Sequence, residues 1–240
     1  SRHGSADGRP DVWLVPGQTI SIEETTASTD EEIVRQLQDF AKRPFDLAND
    51  IPIRALLISI NPGRHVLGIS AHHIVADGWS IRILATELAE IYSGNSISQP
   101  APSYLEYSRS HRKWIDEGAA QKQINYWTNK LRGHSGLSVL PTDFPRPAKP
   151  SSSGGFHYLS LPESLVENVA LLAKRHRTTP FTIRLTLLLL LLRQHGGGND
   201  QVIAVPVANR NHDEASGLVG TLVNTLPFRL NLTSSETYAD

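Results

Sequence analysis

Two adjacent histidines, followed at short spacing by an aspartate and a glycine, are the residues of this sequence best suited to chemistry. They are His72, His73, Asp77 and Gly78. An imidazole can accept a proton or a hydrogen bond near neutral pH, which suits acid–base catalysis. The surrounding pattern predicts a strand that ends at the histidine pair and a helix that follows it. Because adjacent strand residues point to opposite faces, one ring could reach a substrate while the other packs inward.

The alternative for this pair is a structural role, which is the more common role of a histidine at the end of a strand. The chain has ten histidines, and isolated ones such as His111, His157 and His176 are expected to be structural or on the surface. Strand alternation argues against a metal site at the pair, since neighbouring imidazoles do not easily converge on one ion. Asp77 and Gly78 lie at the turn before the helix, whose free N–H groups and dipole favour developing negative charge. This combination favours a functional site.

The elements that must position these residues follow from hydrophobic periodicity. Apolar, β-branched runs at 53–60 and 65–73, separated by Asn61-Pro62-Gly63, predict a pair of strands. A helix is predicted at 80–92, directly after the second strand. The pattern beginning at Ser28 predicts a capping box at the start of an earlier helix. Further helices are predicted at 103–116, 119–131, 162–177 and from 180 onward, and further strands at 156–161, 201–207 and 226–232.

Composition narrows the class of protein. The chain has 240 residues, a formal net charge of -1 and no cysteine. This balance of charge gives no electrostatic reason to expect a nucleic-acid partner or an anionic membrane. The lack of cysteine excludes disulfides and thiolate metal sites, and it favours a reducing, cytoplasmic setting. The leucine run at 187–192 is far shorter than the roughly 20 apolar residues of a membrane span, so we expect a buried helix there.

A change of composition divides the chain. Residues 141–155 contain four prolines and three consecutive serines, which is typical of a linker. Strands and helices are predicted on both sides of it, so we expect an α/β fold with two lobes. The predicted domains are an N-terminal lobe at 1–140, the linker at 141–155 and a partial C-terminal lobe at 156–240. Because the sequence does not begin with Met, we expect it to be a segment of a longer protein.

The segment HHIVADG at 72–78 resembles the HHxxxDG signature of the condensation domains of nonribosomal peptide synthetases. Other segments resemble further motifs of that family in the same order, and together they span nearly the whole chain. The resemblance implies an α/β (α+β sandwich) fold with two chloramphenicol-acetyltransferase-like lobes, the first nearly complete and the second partial. The other matching segments are residues 43–47 (RPFDL), 127–133 (WTNKLRG), 140–147 (LPTDFPRP), 206–210 (PVANR) and 219–225 (VGTLVNT).

Two features depart from the family pattern. The family often has an aromatic-acidic-aromatic stretch followed by Trp-Gln-Arg, whereas residues 104–112 read YLEYSRSHR. The family's first strand and helix would lie before Ser1, and the remainder of the second lobe would lie after Asp240. The N-terminal lobe is therefore predicted to lack its first strand and helix.

The resemblance implies amide-bond formation between two carrier-bound acyl groups. The amine of an acceptor aminoacyl thioester would attack a donor acyl or peptidyl thioester in a tunnel between the lobes. Two 4'-phosphopantetheine arms would enter this tunnel from opposite faces, with no cofactor or metal bound directly. The implied partners are upstream and downstream peptidyl carrier domains and an adenylation domain in the same polypeptide. An α-amino group has a reference pKa of about 8, so a residue that takes its proton would help at neutral pH.

The family's site residues carry over to positions of this sequence. His73 is predicted to be catalytic, either as a general base or by positioning the amine, and the resemblance leaves both roles open. The backbone N–H of Gly78 is predicted to stabilise the oxyanion of the tetrahedral intermediate. Asn224, Trp79 and Ser80 are predicted to bind substrate.

Three further residues are predicted to be structural at the site. His72 is expected to pack inward. Asp77 is expected to face away from the tunnel and to pair with Arg210, because a buried carboxylate without a partner is costly. This pair would tie the first lobe to the second.

Three other functions fit the same superfamily. An epimerisation domain shares the HHxxxD core but usually has a different continuation after it. A standalone acyl-CoA-dependent acyltransferase uses HxxxDG, generally without the preceding His or the LPTDxPRP linker. A non-catalytic recruitment module would keep the fold, but the intact His72, His73, Asp77 and Gly78 argue against it.

Overall fold

The computed structural model describes residues 2–13, 15, 17–97, 102–134, 141–145, 147–149, 151, 155, 157–211 and 213–232. Within these residues the chain forms strands and helices in mixed order, which confirms the α/β prediction. In chain order the elements are β1 (Arg2–Ala6), β2 (Arg9–Trp13), β3 (Ile22–Thr26), α1 (Asp30–Lys42), β4 (Ile53–Asn61), β5 (Arg64–Ala71), α2 (Gly78–Tyr92), α3 (Tyr104–Asp116), α4 (Gln121–Leu131), α5 (Glu163–Arg175), α6 (Pro180–Leu192), a π-helical turn (Arg193–Gly197), β6 (Asp200–Val207), α7 (Asp213–Ser216) and β7 (Asn224–Asn231).

The chain divides into two compact units. The first comprises Ser1–Asp116 and Ala208–Asn224, and the second comprises Glu117–Val207 and Thr225–Asp240. This division differs from the predicted lobes at two places. Residues 117–140 group with the second unit, and Ala208–Asn224 groups with the first although it follows the predicted linker. Residues 146, 150 and 152–154 of that linker lie outside the described residues, so the linker stays a prediction.

A three-stranded sheet carries the predicted site in the first unit. β3 pairs in parallel with β4, and β4 pairs antiparallel with β5 in the order β3-β4-β5. The β4–β5 connection lies where Asn61, Pro62 and Gly63 break the apolar pattern, as turn residues do. The antiparallel register places Ile53 opposite Ala71, so β5 ends beside the start of β4. The strand pair predicted from the sequence is therefore present.

Helix α1 packs against this sheet through one apolar face. Thr29 caps the helix by accepting a hydrogen bond from the Glu32 N–H at 3.2 Å, and the Glu32 carboxylate accepts from the Ser28 N–H at 2.8 Å. This is a variant of the capping box, because the Glu32 carboxylate bonds to the residue before the N-cap. The N-cap is Thr29 and not Ser28 as the prediction had it. The core that α1 forms with the sheet contains the buried residues Ala27, Ile33, Phe40, Leu56 and Ile58.

The second unit contains α4, α5, α6 and the paired strands β6 and β7. Thr179 caps α6 by accepting from the Thr182 N–H at 3.2 Å, and Pro180 occupies the first turn, where a missing N–H is tolerated. The leucine run of α6 is only partly buried, contrary to prediction. Leu189 and Leu192 are buried, whereas Leu187, Leu188 and Leu191 are 47%, 44% and 50% exposed.

One predicted strand is wrong. Residues 157–161 are described and have no strand, and Phe156 lies outside the described residues. Tyr158 and Leu159 are 87% and 76% exposed, so their apolar pattern does not reflect packing against a sheet in this structure. Within the described residues, no helix is long and apolar enough to cross a bilayer.

Candidate active site

The histidine pair follows strand β5 and does not belong to it. The strand ends at Ala71, and the His72 N–H continues the ladder by donating to the Pro52 carbonyl at 2.9 Å. The chain then turns, with the Val75 N–H donating to the His72 carbonyl at 3.0 Å. The sequence prediction placed both histidines on the strand and separated their rings by strand alternation. The turn, and not alternation, gives the two rings their different environments.

His72 is held within the first unit. Its Nδ1 accepts a hydrogen bond from the Ile74 N–H at 3.1 Å, which fixes the tautomer with the proton on Nε2 when the ring is neutral. Its ring meets the edge of the Phe45 ring at 6.1 Å and an interplanar angle of 85°. Arg54 in turn lies 3.9 Å over the face of Phe45. The structural role of His72 stays a prediction.

His73 has an exposed side chain, in contrast to its neighbour. Its backbone carbonyl accepts a hydrogen bond from the Thr221 hydroxyl, across 148 residues of sequence. The backbone is thus tied to a distant segment while the imidazole stays accessible. An accessible imidazole can exchange a proton with an incoming group.

Helix α2 begins directly after this turn. Asp77 is its N-cap, with an extended backbone, and its carboxylate accepts from the Ser80 N–H at 2.9 Å. Gly78 is the first helical residue and is exposed, and a Cβ built there would meet nothing within 4 Å. In the described part of the chain, no acceptor is bonded to the Gly78 N–H. A free N–H in the first turn of a helix is suited to binding an anionic oxygen.

Asp77 is buried, and both of its carboxylate oxygens accept hydrogen bonds. Its Oδ1 accepts from the Ser80 hydroxyl at 2.7 Å, and its Oδ2 accepts from the Leu222 N–H at 3.1 Å and the Val223 N–H at 3.3 Å. Burial opposes ionisation of this carboxyl, but hydrogen bonds from Ser80, Leu222 and Arg210 outweigh it and hold its pKa well below the usual value. Asp77 therefore stays ionised at neutral pH, and its lone pairs are already occupied, so it is not available as a base.

Arg210 is the counterion, as predicted. Its Nη2 lies 3.0 Å from Oδ1 and 3.2 Å from Oδ2 of Asp77, and the two side chains are only 1% and 4% exposed. Its Nη1 donates to the carbonyls of Ala215 at 2.7 Å and Leu218 at 2.6 Å. Both members of the pair lie in the first compact unit, because Ala208–Asn224 belongs to it. The pair therefore joins distant segments within one unit; its predicted role as a tie between lobes stays a prediction.

The residues predicted to bind substrate occupy different environments. Ser80 is completely buried, and its hydroxyl donates to Asp77 and accepts from the Gly220 N–H at 3.0 Å. A completely buried hydroxyl cannot contact a substrate, so Ser80 belongs instead to the buried group around Asp77 and Arg210. The half-buried Trp79 donates its indole N–H to the Ser216 carbonyl at 2.9 Å, and Arg82 stacks on its ring at 4.2 Å. A substrate contact of Trp79 stays a prediction.

Asn224 is the first residue of β7 and is exposed. The preceding residue, Val223, donates its N–H to the Asp77 carboxylate. The contact of Asn224 with substrate stays a prediction.

Sequence reasoning missed three residues of this site. Gly220 lies against Tyr104 so closely that an added Cβ would sit 2.1 Å from the Tyr104 Cδ2. The Tyr104 hydroxyl donates to the Thr221 carbonyl at 3.2 Å. Both contacts join residues more than a hundred positions apart, so no local pattern could have predicted them. The signal that was present is the motif at 219–225, which was recognised without a role for Gly220 or Thr221.

The site as described consists of an accessible imidazole, a helix start with a free N–H and a buried ion pair beneath them. The described residues include no group of three or more His, Asp or Glu that could hold a metal ion. The chemistry that these residues can supply themselves is proton exchange at His73 and stabilisation of negative charge at the start of α2.

Comparisons with known proteins assign this arrangement to a family. A family model described as "Condensation domain" matches residues 14–240. One linear gramicidin synthase polypeptide of Brevibacillus parabrevis is 35% identical over 206 residues, which cover 83% of this chain and 3% of that protein. Malpinin synthetase of Mortierella alpina is 34% identical over 243 residues, which cover 97% of this chain and 3% of that protein. The chain thus spans a small fraction of the curated relatives it matches.

Solved structures show the same fold. The X-domain from teicoplanin biosynthesis superposes with a TM-score of 0.86 at 24% identity, covering 99% of this chain and 55% of that one. The first condensation domain of the calcium-dependent antibiotic synthetase, solved with a substrate analogue, gives a TM-score of 0.76 at 20% identity and covers 99% and 58%. These likenesses confirm the predicted chloramphenicol-acetyltransferase-like fold. By its family match and its fold, the chain belongs to the condensation-domain family.

Proposed function

We propose that this chain is the part of a nonribosomal peptide synthetase condensation domain that carries the catalytic histidine. The reaction joins a donor acyl or peptidyl thioester to the amine of an acceptor aminoacyl thioester. The observation that carries the proposal is the accessible His73 imidazole directly before the helix start at Gly78. The family match supplies the class of reaction.

The chemistry follows from the groups present. The acceptor nitrogen forms a bond to the donor carbonyl carbon, and the C–S bond of the donor thioester breaks as the thiolate leaves. The nitrogen must lose a proton during this exchange, and the leaving thiolate gains one. His73 either takes the proton from the nitrogen and passes it to the thiolate, or accepts a hydrogen bond that directs the lone pair at the carbonyl while the proton goes to the thiolate. Either role lowers the barrier, and general base catalysis contributes about 10²–10⁴ in rate.

The tetrahedral intermediate carries negative charge on the former carbonyl oxygen. The Gly78 N–H and the positive end of the α2 dipole are the groups that we assign to this oxygen. Asp77 serves this purpose indirectly, because as N-cap it determines where the helix begins. Ionised Asp77 would repel an oxyanion if it were not neutralised by Arg210.

The partners follow from the relatives, which are named as synthases and synthetases. We propose that both substrates arrive as thioesters on the 4'-phosphopantetheine arms of peptidyl carrier domains, upstream and downstream of this domain. We further propose that an adenylation domain belongs to the same polypeptide and that the enzyme acts in the cytoplasm. An acyl-CoA-dependent acyltransferase or an epimerisation domain of the superfamily is the alternative, which no observation on this chain favours.

The test is product formation by the full-length protein with loaded donor and acceptor carriers. His73→Ala should lower the rate of amide formation about 10²–10⁴-fold. His65→Ala is the matched control, since His65 is an exposed histidine on β5 that contacts Ser59, and its loss should leave the rate unchanged.

Three outcomes would contradict the proposal. A normal rate in His73→Ala would remove His73 from the reaction. Acylation of a free amine from an acyl-CoA, with no need for carriers, would identify the standalone acyltransferase. Inversion of the aminoacyl centre without amide formation would identify the epimerase.

A further inference from the structure

Residues 220–223, here called the 220–223 segment, form hydrogen bonds with His73, Asp77 and Ser80. The Gly220 N–H donates to the Ser80 hydroxyl, and the Leu222 and Val223 N–H groups donate to Asp77. These bonds hold the segment against the start of α2. Thr221 bonds instead to the turn before that helix: its hydroxyl donates to the carbonyl of His73.

The bond from Thr221 is the one that reaches the histidine itself. Within the described residues, His73 has no other hydrogen-bond partner. The Ile74 N–H, at the other end of the peptide unit that contains the His73 carbonyl, donates to His72 Nδ1, and the His72 ring lies against Phe45. Because the His73 imidazole has no hydrogen-bond partner among the described residues, the backbone sets the direction from which it extends. Thr221 holds the carbonyl end of the peptide unit that follows His73, and His72 holds the N–H end.

Thr221 is itself held in place by neighbouring residues. Its carbonyl accepts from the Tyr104 hydroxyl at 3.2 Å, and the Tyr104 ring packs against the adjacent Gly220. A β-branched side chain has few accessible χ1 rotamers, so the Thr221 hydroxyl is limited to a few directions. The neighbouring Leu222 is 6% exposed and belongs to a core cluster with Ala215 and Leu218.

We propose that Thr221 is a positioning residue that orients His73 through the hydrogen bond to the His73 carbonyl. The inference rests on the proposed function of His73, and it assigns to Thr221 no contact with substrate. Its physical basis is the sensitivity of catalysis to alignment, where a displacement of about 1 Å in a reacting group can cost about 10²-fold in rate. Without the bond, that peptide unit keeps only the hydrogen bond from the Ile74 N–H to His72, so the His73 backbone gains freedom and the imidazole samples unproductive directions.

The central test compares Thr221→Val with Thr221→Ser in the full-length protein. Valine keeps the shape and removes the hydroxyl, whereas serine keeps the hydroxyl and removes the methyl group. Thr221→Val should lower kcat for amide formation about 10- to 100-fold and leave KM for both loaded carriers within about twofold. Thr221→Ser should retain most of kcat. Equal losses in the two variants, or a loss confined to KM, would overturn the positioning role.

A second variant covers the case in which Thr221→Val does not fold. Tyr104→Phe removes the hydroxyl that holds the Thr221 carbonyl and leaves the aromatic packing on Gly220 in place. It should lower kcat in the same direction but by a smaller factor, at unchanged KM. A Tyr104→Phe enzyme with wild-type kcat, together with an unfolded Thr221→Val, would contradict the proposal.

A double-mutant cycle separates this inference from the proposed function. In a His73→Ala background, Thr221→Val should cause no further loss of kcat, since the group that it orients is gone. If the two losses multiply, Thr221 acts by another route and the inference fails while His73 keeps its role. If His73→Ala alone has normal activity, the proposed function fails first.

Discussion

Each compact unit contains an arginine that binds a carboxylate and also donates to main-chain carbonyls. Arg210 pairs with Asp77 at 3.0 Å in the first unit, and Arg229 pairs with Asp200 at 2.6 Å in the second. Arg210 also donates to the carbonyls of residues 215, 218 and 220, and Arg229 donates to those of residues 130 and 132. In hydrogen-bond chemistry the two clusters are nearly alike.

They differ in burial. The side chains of Arg210 and Asp77 are 1% and 4% exposed, whereas those of Arg229 and Asp200 are 20% and 35% exposed. Water can replace a lost partner in the second cluster but not in the first, where an unpaired charge would be left in the interior. Access to water, more than the number of hydrogen bonds, therefore determines what each pair contributes to stability.

The largest effect is expected when the buried pair is broken. Arg210→Met should leave Asp77 buried without its counterion and lower the free energy of unfolding by roughly 3–5 kcal/mol. Denaturant unfolding of the full-length protein measures this loss. Hydrogen exchange localises it, because the amides of Ser80 and Leu222 that donate to Asp77 should lose protection.

The double variant Arg210→Met/Asp77→Leu is the control for that experiment. Removing both charges should recover part of the lost stability, because the uncompensated charge is what makes the single variant costly. An Arg210→Met protein with unchanged unfolding and unchanged exchange at Ser80 would show that the ion pair is dispensable, and it would erase the difference between the two clusters.

A smaller effect is expected from Gly220→Ala, which crowds the first cluster without removing a charge. The new Cβ would lie 2.1 Å from Cδ2 of Tyr104, so the ring or the 220–223 segment must move. Overpacking of this kind costs about 1–3 kcal/mol. The matched variant is Gly217→Ala, where the nearest atom would be Pro102 Cδ at an ordinary 3.7 Å. Similar unfolding midpoints for the two variants would contradict the tight contact at Gly220.

The smallest loss in the free energy of unfolding is expected from Asp200→Asn, and this loss should depend on pH. Hydrogen bonding to Arg229 lowers the pKa of Asp200, so the carboxylate stabilises the fold when it is ionised. A lowered pKa means that this contribution is complete above the unfolded-state pKa of about 4 and is lost as pH falls below it. The stability difference between wild type and Asp200→Asn, measured by urea unfolding from pH 7 to pH 3, should therefore narrow at the acid end.

Asp39→Asn serves as the control for acid unfolding, because Asp39 is exposed on α1. A difference for Asp200→Asn that stays constant to pH 3 would argue against a stabilising carboxylate there. A loss of stability as large as that of Arg210→Met would contradict the comparison of the two clusters, since the partly exposed pair would then contribute as much as the buried one.

Local sequence signals predicted most of the elements around the site. The break at Asn61-Pro62-Gly63 between two β-branched runs predicted the β4–β5 pair, and the apolar spacing after Ser80 predicted α2. The remaining errors are short offsets. The capping box lies one residue later than predicted, because Thr29 and Glu32 form it, and β5 ends at Ala71 before the histidines. Several neighbouring residues can cap a helix or end a strand, so pattern alone does not choose among them.

Contacts between distant segments could not be predicted from a single sequence. The Asp77–Arg210 pair was expected only because a family motif resembled this chain at both positions. The bond of Thr221 to His73 and the burial of Ser80 against Gly220 join residues 148 and 140 positions apart, and neither residue type signals such a partner. The polar Ser80 was therefore assigned to substrate, although tertiary packing places it in the interior.

The separation of Asp77 from its counterion also has a consequence during synthesis of the protein. After Asp77 the ribosome adds 133 further residues, of which Arg210 is the last. At an elongation rate of about 5–20 residues per second, the newborn chain waits on the order of ten seconds before the carboxylate can be neutralised. Until then Asp77 must stay hydrated, so the beginning of α2 cannot reach its native burial in the nascent polypeptide. Completion of this candidate site is a late event in translation, whereas the neighbouring β4–β5 hairpin can pair as soon as it emerges.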